Sequence, residues 1–257
     1  MKFSALALLL GLAVAAAGCA ARRQSPKPIA TAAQASPPAS NSASLTEADL
    51  TKLAAEPSLA LPPGEWRKLF DGDDLVGWRA TDFAGHGDVE CKHGMIVLGM
   101  GDPFTGVNYT NAFPTENYEI SLEAARLMGS DFFCGLTFPV TNDFCSLIVG
   151  GWGGSLVGIS SLDGMDASEN ETTRYHSFDD RRWYQIRLRV SLGRIEAWID
   201  GEKVVNVRTE GKRVSVRAGD IEESEPFGIA CWQTSAALRN VAFRAVNGPA
   251  GPPRKGY

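Results

Sequence analysis

Residues Asp131–His176 read DFFCGLTFPVTNDFCSLIVGGWGGSLVGISSLDGMDASENETTRYH, and this stretch decides how the chain folds. It begins with two apolar runs, Phe132–Val140 and Phe144–Val149, which carry apolar side chains on both alternating faces. Strands with two apolar faces lie in the middle of a sheet that is covered on both sides. We therefore expect these two runs to be central strands of a sandwich.

A glycine-rich turn and a polar loop follow the two runs. The turn is Gly150–Gly154, with Trp152 at its centre, and a third apolar run leads from it to the loop Asp163–His176. Glycine lets the backbone approach a ligand closely, and tryptophan offers a flat apolar surface. Loops on a buried scaffold often carry function. The stretch is therefore either the site of the protein or a bend followed by a solvated connection.

The clearest strand pair in the chain is 183–190 with 194–200, because apolar and polar residues alternate strictly in both. A one-residue slip would turn the apolar face outward, so the register can be derived. Closing the loop at Ser191–Arg194 places Val190 opposite Ile195 and sets the apolar faces against each other. The same register predicts an ion pair of Arg189 with Glu196 and a cation–π contact of Arg187 with Trp198.

Many short antiparallel strands and one short helix indicate an all-β protein, an antiparallel β-sandwich of the jelly-roll type. The helix is predicted over Leu45–Glu56, where Thr46 caps it and Asp49 completes a capping box. This helix either packs on the domain or is a mobile arm. We assign residues 45–63 to the helix and a linker and residues 64–246 to the jelly roll. We expect the part from Trp66 to Arg244 to fold alone.

The first 18 residues have the pattern of a secretory signal peptide. A short basic start precedes the apolar run Phe3–Ala17, which is too short for a membrane span. The junction Ala16-Ala17-Gly18-Cys19 resembles the bacterial lipoprotein box, in which Cys19 is lipidated. Ordinary secretion, with cleavage near Ala17, is the alternative. Acyl chains on Cys19 would anchor the protein, because each buried methylene contributes about 0.8 kcal/mol.

Residues 19–44 are rich in Ala, Pro, Ser and Gln and contain no aromatic residue, which predicts a disordered tether. The tail 247–257 is rich in Gly and Pro and is expected to be loose. Ala20 after Cys19 resembles the outer-membrane sorting pattern. We therefore expect a lipid-anchored protein of the bacterial cell envelope, at the outer membrane.

Charge and cysteine content exclude some classes of partner. The chain carries 25 basic and 30 acidic residues, and no basic run alternates with aromatics, so nucleic acid is not an expected partner. Apart from Cys19, the spacing of the cysteines fits neither a disulfide framework nor a zinc site. A tight turn at Thr141-Asn142 would place Cys145 opposite Phe138 rather than Cys134. We expect free, buried thiols at Cys91, Cys134, Cys145 and Cys231.

Short motifs recur in a specific order from Trp66 to Arg244. They are Leu69-Phe70-Asp71-Gly72 with Gly77-Trp78, Asn117-Tyr118-Glu119, Arg182-Trp183, Asp200-Gly201, Gly228-Ile229 and Arg239-Asn240-Val241. In this order they resemble the 3-keto-disaccharide hydrolase domain family, also named for 3-keto-glucoside lyase and hydratase activity. The resemblance implies a concanavalin A-like jelly roll that binds sugars on its concave sheet.

Two strands depart from the family pattern. Family members commonly carry an Arg on the strand after a Ser-Gly-Ile pattern and a Glu and a Gln on the next strand. Here the strands read Cys134–Phe138 and Phe144–Ile148, with small or apolar residues instead. The matched motifs are mainly turns and core aromatics, so the resemblance supports the fold better than the activity.

The enzyme hypothesis is cleavage of a 3-keto-glycoside, since a ketone acidifies the proton on the neighbouring carbon. This chemistry needs a base and a group that stabilises enolate charge. The sequence does not decide whether the enzyme needs a cofactor; a divalent metal ion is the candidate. The candidates lie in one loop: Glu171 and His176 as base, Arg174 as stabiliser, and Asp163 and Asp166 as metal ligands.

The second hypothesis is a lectin-like carbohydrate-binding module without catalysis. Aromatic side chains stack on sugar rings, and short polar side chains form hydrogen bonds with the sugar hydroxyl groups. The candidates for substrate binding are Trp152, Asn170, Trp232 and Gln233. A purely structural envelope lipoprotein is a third possibility. We favour the enzyme narrowly and place its site where the Trp152 turn meets the loop Asp163–His176.

Overall fold

The structure is a computed structural model that describes residues 45–246. It has one helix and fifteen strands: α1 (Glu47–Ala54), β1 (Arg67–Lys68), β2 (Trp78–Ala80), β3 (Val89–Lys92), β4 (Met95–Leu98), β5 (Phe104–Tyr109), β6 (Tyr118–Gly129), β7 (Cys134–Val140), β8 (Asp143–Gly150), β9 (Leu156–Ser160), β10 (Arg174–Tyr175), β11 (Tyr184–Ser191), β12 (Arg194–Ile199), β13 (Glu202–Arg208), β14 (Gly228–Trp232) and β15 (Thr234–Ala245). Short helical turns lie at Gly151–Gly154 and Asp220–Ser224.

The strands form two antiparallel sheets. Sheet A has the order β13-β12-β11-β6-β15-β4-β3, with β1 added beside β15, and sheet B has the order β10-β9-β8-β7-β14-β5-β2. The main core lies between them and contains fully buried side chains of both, such as Tyr184 and Ile120 of sheet A and Leu136 and Leu147 of sheet B. The predicted all-β antiparallel sandwich is confirmed. Among residues 45–246, no helix has the length and apolar character that a membrane crossing requires.

The apolar runs between Phe132 and Ser160 form three adjacent strands of sheet B. They are β7, β8 and β9, paired in that order, with Phe138 opposite Cys145 as predicted. Cys91, Cys134, Cys145 and Cys231 are free, and all but the half-buried Cys91 are buried. Burial raises the pKa of the Cys231 thiol to about 12, so this thiol is held in its unreactive form.

The predicted register of β11 and β12 is confirmed, including Val190 opposite Ile195. The Arg187 guanidinium lies 3.7 Å from the centre of the Trp198 ring, which confirms the cation–π contact. The predicted Arg189–Glu196 ion pair is wrong. Arg189 pairs with Glu119 on β6, and Glu196 pairs with Lys203 on β13 at 2.6 Å. The partners come from the neighbouring strands β6 and β13, and a register derived from β11 and β12 alone does not include those strands.

Residues 45–63, here called the N-terminal strap, cross the outer face of sheet A. Thr46 and Asp49 form the predicted capping box of α1. Leu50 and Leu53 of α1 are buried in a second apolar cluster with outward-facing residues of the sheet, Met95, Val97, Ala125, Leu127 and Ala237, together with Trp183. Of the two alternatives for the helix, the structure therefore has the packed one. The predicted signal peptide, Cys19, the tether 19–44 and the tail 247–257 lie outside the described residues.

Candidate functional site

A pocket of about 480 Å³ lies on the outer face of sheet B. Along β7, β8 and β9, the residues Leu136, Leu147 and Ile159 face the main core. Because side chains alternate along a strand, their neighbours Thr137, Ser146 and Ser160 face the opposite side. The outer face of the three central strands thus carries hydroxyl groups, and two of them, those of Ser146 and Ser160, line the floor of the pocket.

The polar part of the floor is formed by Ser146 and Ser160, beside the apolar Ile148. Thr137 lies opposite Ser146 on β8, and their hydroxyl oxygens are 2.8 Å apart. Ser160 lies opposite Ser146 on the other side. Of these strands, β7 and β8 are the two in which the sequence departs from the family pattern. Small hydroxyl side chains at these positions leave room above the sheet.

Aromatic side chains form the walls. Phe104 on β5 lies opposite Trp232 on β14, and their rings meet edge to face with centroids 4.6 Å apart. The ring of Phe132 lies over Gly135, where a Cβ atom would come within 2.8 Å of it. Any larger residue at Gly135 would displace Phe132 and deform the wall. The glycine thus permits an aromatic wall directly on the sheet.

The glycine-rich turn places Trp152 at the mouth of the pocket. Trp152 has a left-handed backbone (φ 49°, ψ 56°), which costs a non-glycine residue free energy. Its side chain is 43% exposed although it lines the pocket. Asp131 fixes the turn, because its Oδ2 accepts a hydrogen bond from the Gly153 amide (3.3 Å) while its Oδ1 accepts one from the Phe132 amide (2.7 Å).

Charged residues lie on the rim. Asp131, Arg217 and Asp220 line the pocket. Asp166 lies behind Arg217: its Oδ2 is 3.3 Å from the guanidinium, while the Ser160 and Ser161 hydroxyls donate to its Oδ1. The floor serine and the rim arginine are therefore connected through one carboxylate. Hydrogen-bonding groups of both charges thus surround an apolar cleft, which is the usual composition of a small-molecule site.

Two of the predicted site residues, Trp152 and Trp232, line this pocket. A third, Asp166, does not line it but forms an ion pair with the lining residue Arg217. Among residues 45–246, no three His, Cys, Asp or Glu side chains converge as a metal site. Asp163 instead accepts a hydrogen bond from the Arg213 amide.

Asn170 is a structural residue. Its side-chain amide donates to the carbonyls of Ile159, Met165 and Asp166, and its Oδ1 accepts from the amide and hydroxyl of Thr172. Every hydrogen-bonding group of this buried side chain is used within the loop. Asn170 therefore folds the loop and has no group left for a sugar.

The remaining predicted residues do not line the pocket. Glu171 is exposed and binds Lys212 at 2.7 Å, a hydrogen bond that raises the pKa of that lysine. Arg174 is exposed on the edge strand β10 and donates to the Thr173 carbonyl. His176 packs against Phe178, with ring centroids 4.7 Å apart. Gln233 is exposed beside the pocket residue Trp232. Glu171 and Arg174 thus lie on an exposed part of the loop, outside the pocket.

Sequence reasoning missed the other lining residues, namely Phe104, Asp131, Phe132, Ser146, Ile148, Ser160, Arg217, Ala218, Gly219, Asp220 and Ile221. The alternation along β8 contained a signal for Ser146, since a serine facing outward in an apolar strand marks an exposed or functional floor. Arg217 and Asp220 gave no such signal. They reach the pocket because residues 213–215 pair with residues 161–163.

The fold and the pocket define a β-sandwich protein with a candidate site on the outer face of sheet B. The model of the 3-keto-alpha-glucoside-1,2-lyase-like domain family matches residues 65–246. The chain therefore belongs to this family, and it is a carbohydrate-active domain. A search of curated proteins found no matching relative.

Solved structures with a similar fold include a Bacillus subtilis protein of unknown function with a galectin-like fold, at 12% identity and a TM-score of 0.51, covering 72% of this chain and 96% of that one. The carbohydrate-binding module CBM66 of Bacillus subtilis has 13% identity and a TM-score of 0.43, covering 66% and 96%. A putative glycosyl hydrolase of Parabacteroides distasonis has 13% identity and a TM-score of 0.46, covering 79% and 99%. Similarity at this level concerns the fold alone.

Proposed function

We propose that the pocket on sheet B binds one sugar ring of a glycoside. The observation that carries this proposal is the combination of aromatic walls with a hydroxyl floor and a charged rim in a cleft of about 480 Å³. The apolar faces of a pyranose stack on aromatic rings, while its hydroxyl groups need donors and acceptors at fixed positions. Trp152 and Trp232 would supply the stacking surfaces, and Ser146, Ser160 and Asp131 the polar contacts.

Replacing Trp232 by Ala is expected to weaken glycoside binding about tenfold or more, because a central aromatic anchor is lost. Isothermal titration of the full-length protein with a panel of glycosides and 3-keto-glycosides measures the change. The matched control is Tyr175→Ala, which removes an aromatic side chain that is 76% exposed outside the pocket. Equal affinity for wild type and a folded Trp232→Ala variant would place the sugar elsewhere.

Cleavage of a 3-keto-glycoside is the second candidate function, favoured by family membership and by a carboxylate and a guanidinium in the same pocket. Asp131 would accept the proton from the carbon next to the ketone, and Arg217 would stabilise the enolate oxygen. The bond from the anomeric carbon to the leaving oxygen then breaks, and that oxygen receives the proton from Asp131 through a water molecule, which leaves Asp131 ionised again. Addition of water across the new double bond gives the free 3-keto sugar.

On this proposal, Asp131→Asn should lower kcat/KM for a 3-keto-glycoside about 100-fold or more, since a general base typically contributes at least that factor. Asp163→Asn is the control, because Asp163 lies outside the pocket. Release of the aglycone, followed with and without EDTA, also tests the metal candidate. Sugar binding without turnover in wild type would leave the non-catalytic module as the function.

The envelope location is a proposal supported by the sequence pattern alone. Lipidation at Cys19 followed by a tether of 25 residues, 20–44, would hold the domain near the outer membrane surface. Replacing Cys19 by Ala should move the protein from the membrane fraction to the soluble fraction. Wild-type protein that is already soluble after fractionation would contradict the lipid anchor.

A further inference from the structure

The outer face of sheet A carries an excess of positive charge, although the whole chain has a formal net charge of −5. Beside the N-terminal strap, the outward-facing positions of the five strands β13, β12, β11, β6 and β15 hold six cationic side chains and two acidic ones. We call this set the basic face: Arg187, Arg189, Arg194, Lys203, Arg208 and Arg244, with Glu119 and Glu196.

Part of this charge has a structural role. Glu119 is fully buried and binds Arg189 and Arg244, with Arg187 at 3.5 Å, so three guanidinium groups share one carboxylate. The pKa of Arg187 is lowered, first by burial and further by Arg189 and Arg244, although Glu119 opposes the shift. The positive potential at the centre of the basic face is therefore only partly neutralised.

The charges of Arg194 and Arg208, at the outer edge of the basic face, do not share a buried carboxylate in this way. Arg194 on β12 lies directly opposite Arg208 on the edge strand β13. Like charges at directly opposed positions of a sheet destabilise it. Arg194 donates to the Asn206 amide oxygen at 2.6 Å, and within residues 45–246 neither arginine has an ion pair with a carboxylate. Positive charge is thus concentrated here at a cost in stability.

The geometry of the basic face indicates the kind of ligand. The three strands β11, β12 and β13, at about 4.8 Å spacing, give a flat surface roughly 10 Å wide. Trp198 is only 8% exposed beneath Arg187, so the surface offers charge rather than ring stacking. A flat row of guanidinium and ammonium groups suits repeated carboxylates or sulfates along a chain, because guanidinium binds such groups through paired hydrogen bonds.

We propose that the basic face of sheet A is a second binding surface, for an acidic polysaccharide. It lies on the opposite sheet from the pocket, so one chain can hold a polyanionic glycan on one side while the pocket takes a sugar ring on the other. A polysaccharide is favoured over other polyanions because the domain is carbohydrate-active. The proposal does not depend on catalysis in the pocket.

The test uses the full-length protein with sodium polygalacturonate, and with dextran as a neutral comparison. The expected result is binding to polygalacturonate alone that weakens as salt is added, because exposed charges are screened. The double variant Arg194→Gln/Arg208→Gln should lose affinity about fivefold or more, as expected from two exposed charge contacts. Its melting temperature should stay equal or rise, since a like-charge repulsion is removed.

Two controls decide the outcome. Arg194→Lys/Arg208→Lys keeps the charge and should keep most of the affinity. Lys52→Gln/Arg79→Gln removes the same charge from exposed positions on other parts of the surface and should bind like wild type. An equal loss in this second control would show attraction by net charge alone and overturn the proposal. So would absence of polygalacturonate binding at low salt, or tighter binding to duplex DNA or to phosphatidylglycerol vesicles.

Discussion

A protein that lacks the N-terminal strap, residues 45–63, is expected to lose about 4 kcal/mol or more of its free energy of unfolding. Burying Leu50 and Leu53 contributes roughly 1.5–3 kcal/mol each. The deletion also exposes their apolar partners on sheet A, including Met95 and Val97. The loss is a large fraction of the total stability of a domain. Urea unfolding of the shortened and full-length proteins measures it.

The strap also completes a buried ion pair on sheet A. Arg239 binds Glu123 at 2.8 Å, and both side chains are less than 10% exposed. The strap supplies their other partners, since Arg239 donates to the Glu56 and Pro57 carbonyls and Glu123 accepts from the Leu59 amide. The sequence predicted that Trp66 to Arg244 folds alone, and these contacts lead us to expect the opposite.

A double substitution separates the two contributions of the strap. Leu50→Ala/Leu53→Ala keeps the strap and its hydrogen bonds but removes most of the apolar burial, so it should account for the greater part of the loss. Lys52→Ala on the exposed side of α1 is the control and should change the stability by less than about 0.5 kcal/mol. An unchanged unfolding midpoint for the strap deletion would show that the sandwich is complete without it.

Replacing Glu119 by Ala is expected to cost about 3 kcal/mol. The carboxylate is fully buried and is the shared partner of Arg187, Arg189 and Arg244. Removing one partner of a buried ion pair leaves the other charges without compensation, which typically costs about 3–5 kcal/mol. We expect the lower end because the arginine side chains retain 15–36% of their exposure. Chemical unfolding with an unchanged slope measures the difference.

The matched control for Glu119 is Glu202→Ala, an exposed acid on β13 that should have little effect. A double-mutant cycle with Arg189→Ala tests the mechanism. The double variant should lose less stability than the two single variants together, since the second substitution removes part of the uncompensated charge. Additive losses would show that Glu119 acts through packing rather than through charge.

Several features of the fold follow from short-range patterns in the sequence. The two apolar runs Phe132–Val140 and Phe144–Val149 had to be central strands because both of their faces need cover. The register of β11 and β12 was derivable because alternation allows only one pairing that keeps apolar residues inside. The capping box of α1 is local to four residues. Each of these depends on neighbours in the chain, which the sequence displays directly.

The pocket depended on contacts that the sequence does not display. The density of charged residues along the chain pointed to the loop Asp163–His176 as the site. However, Glu171, Arg174 and His176 do not line the pocket. Asn170 forms its hydrogen bonds within or next to the loop. Arg217 lies more than 50 residues after the floor residue Ser160 in the sequence, yet the fold brings it to the rim of the pocket. There it forms an ion pair with Asp166. Its place depends on pairing between distant segments.

The sequence by itself determined the sandwich, its central strands, the capped helix and the presence of tryptophan at the glycine turn. Only the tertiary structure decided that the strap packs on sheet A and that Glu119 pairs with Arg189. It also decided that the pocket lies over the hydroxyl face of β7, β8 and β9. The physical reason is range: hydrophobic alternation and capping act between residues close in sequence, whereas ion pairs and pockets form between residues that only the folded chain brings together.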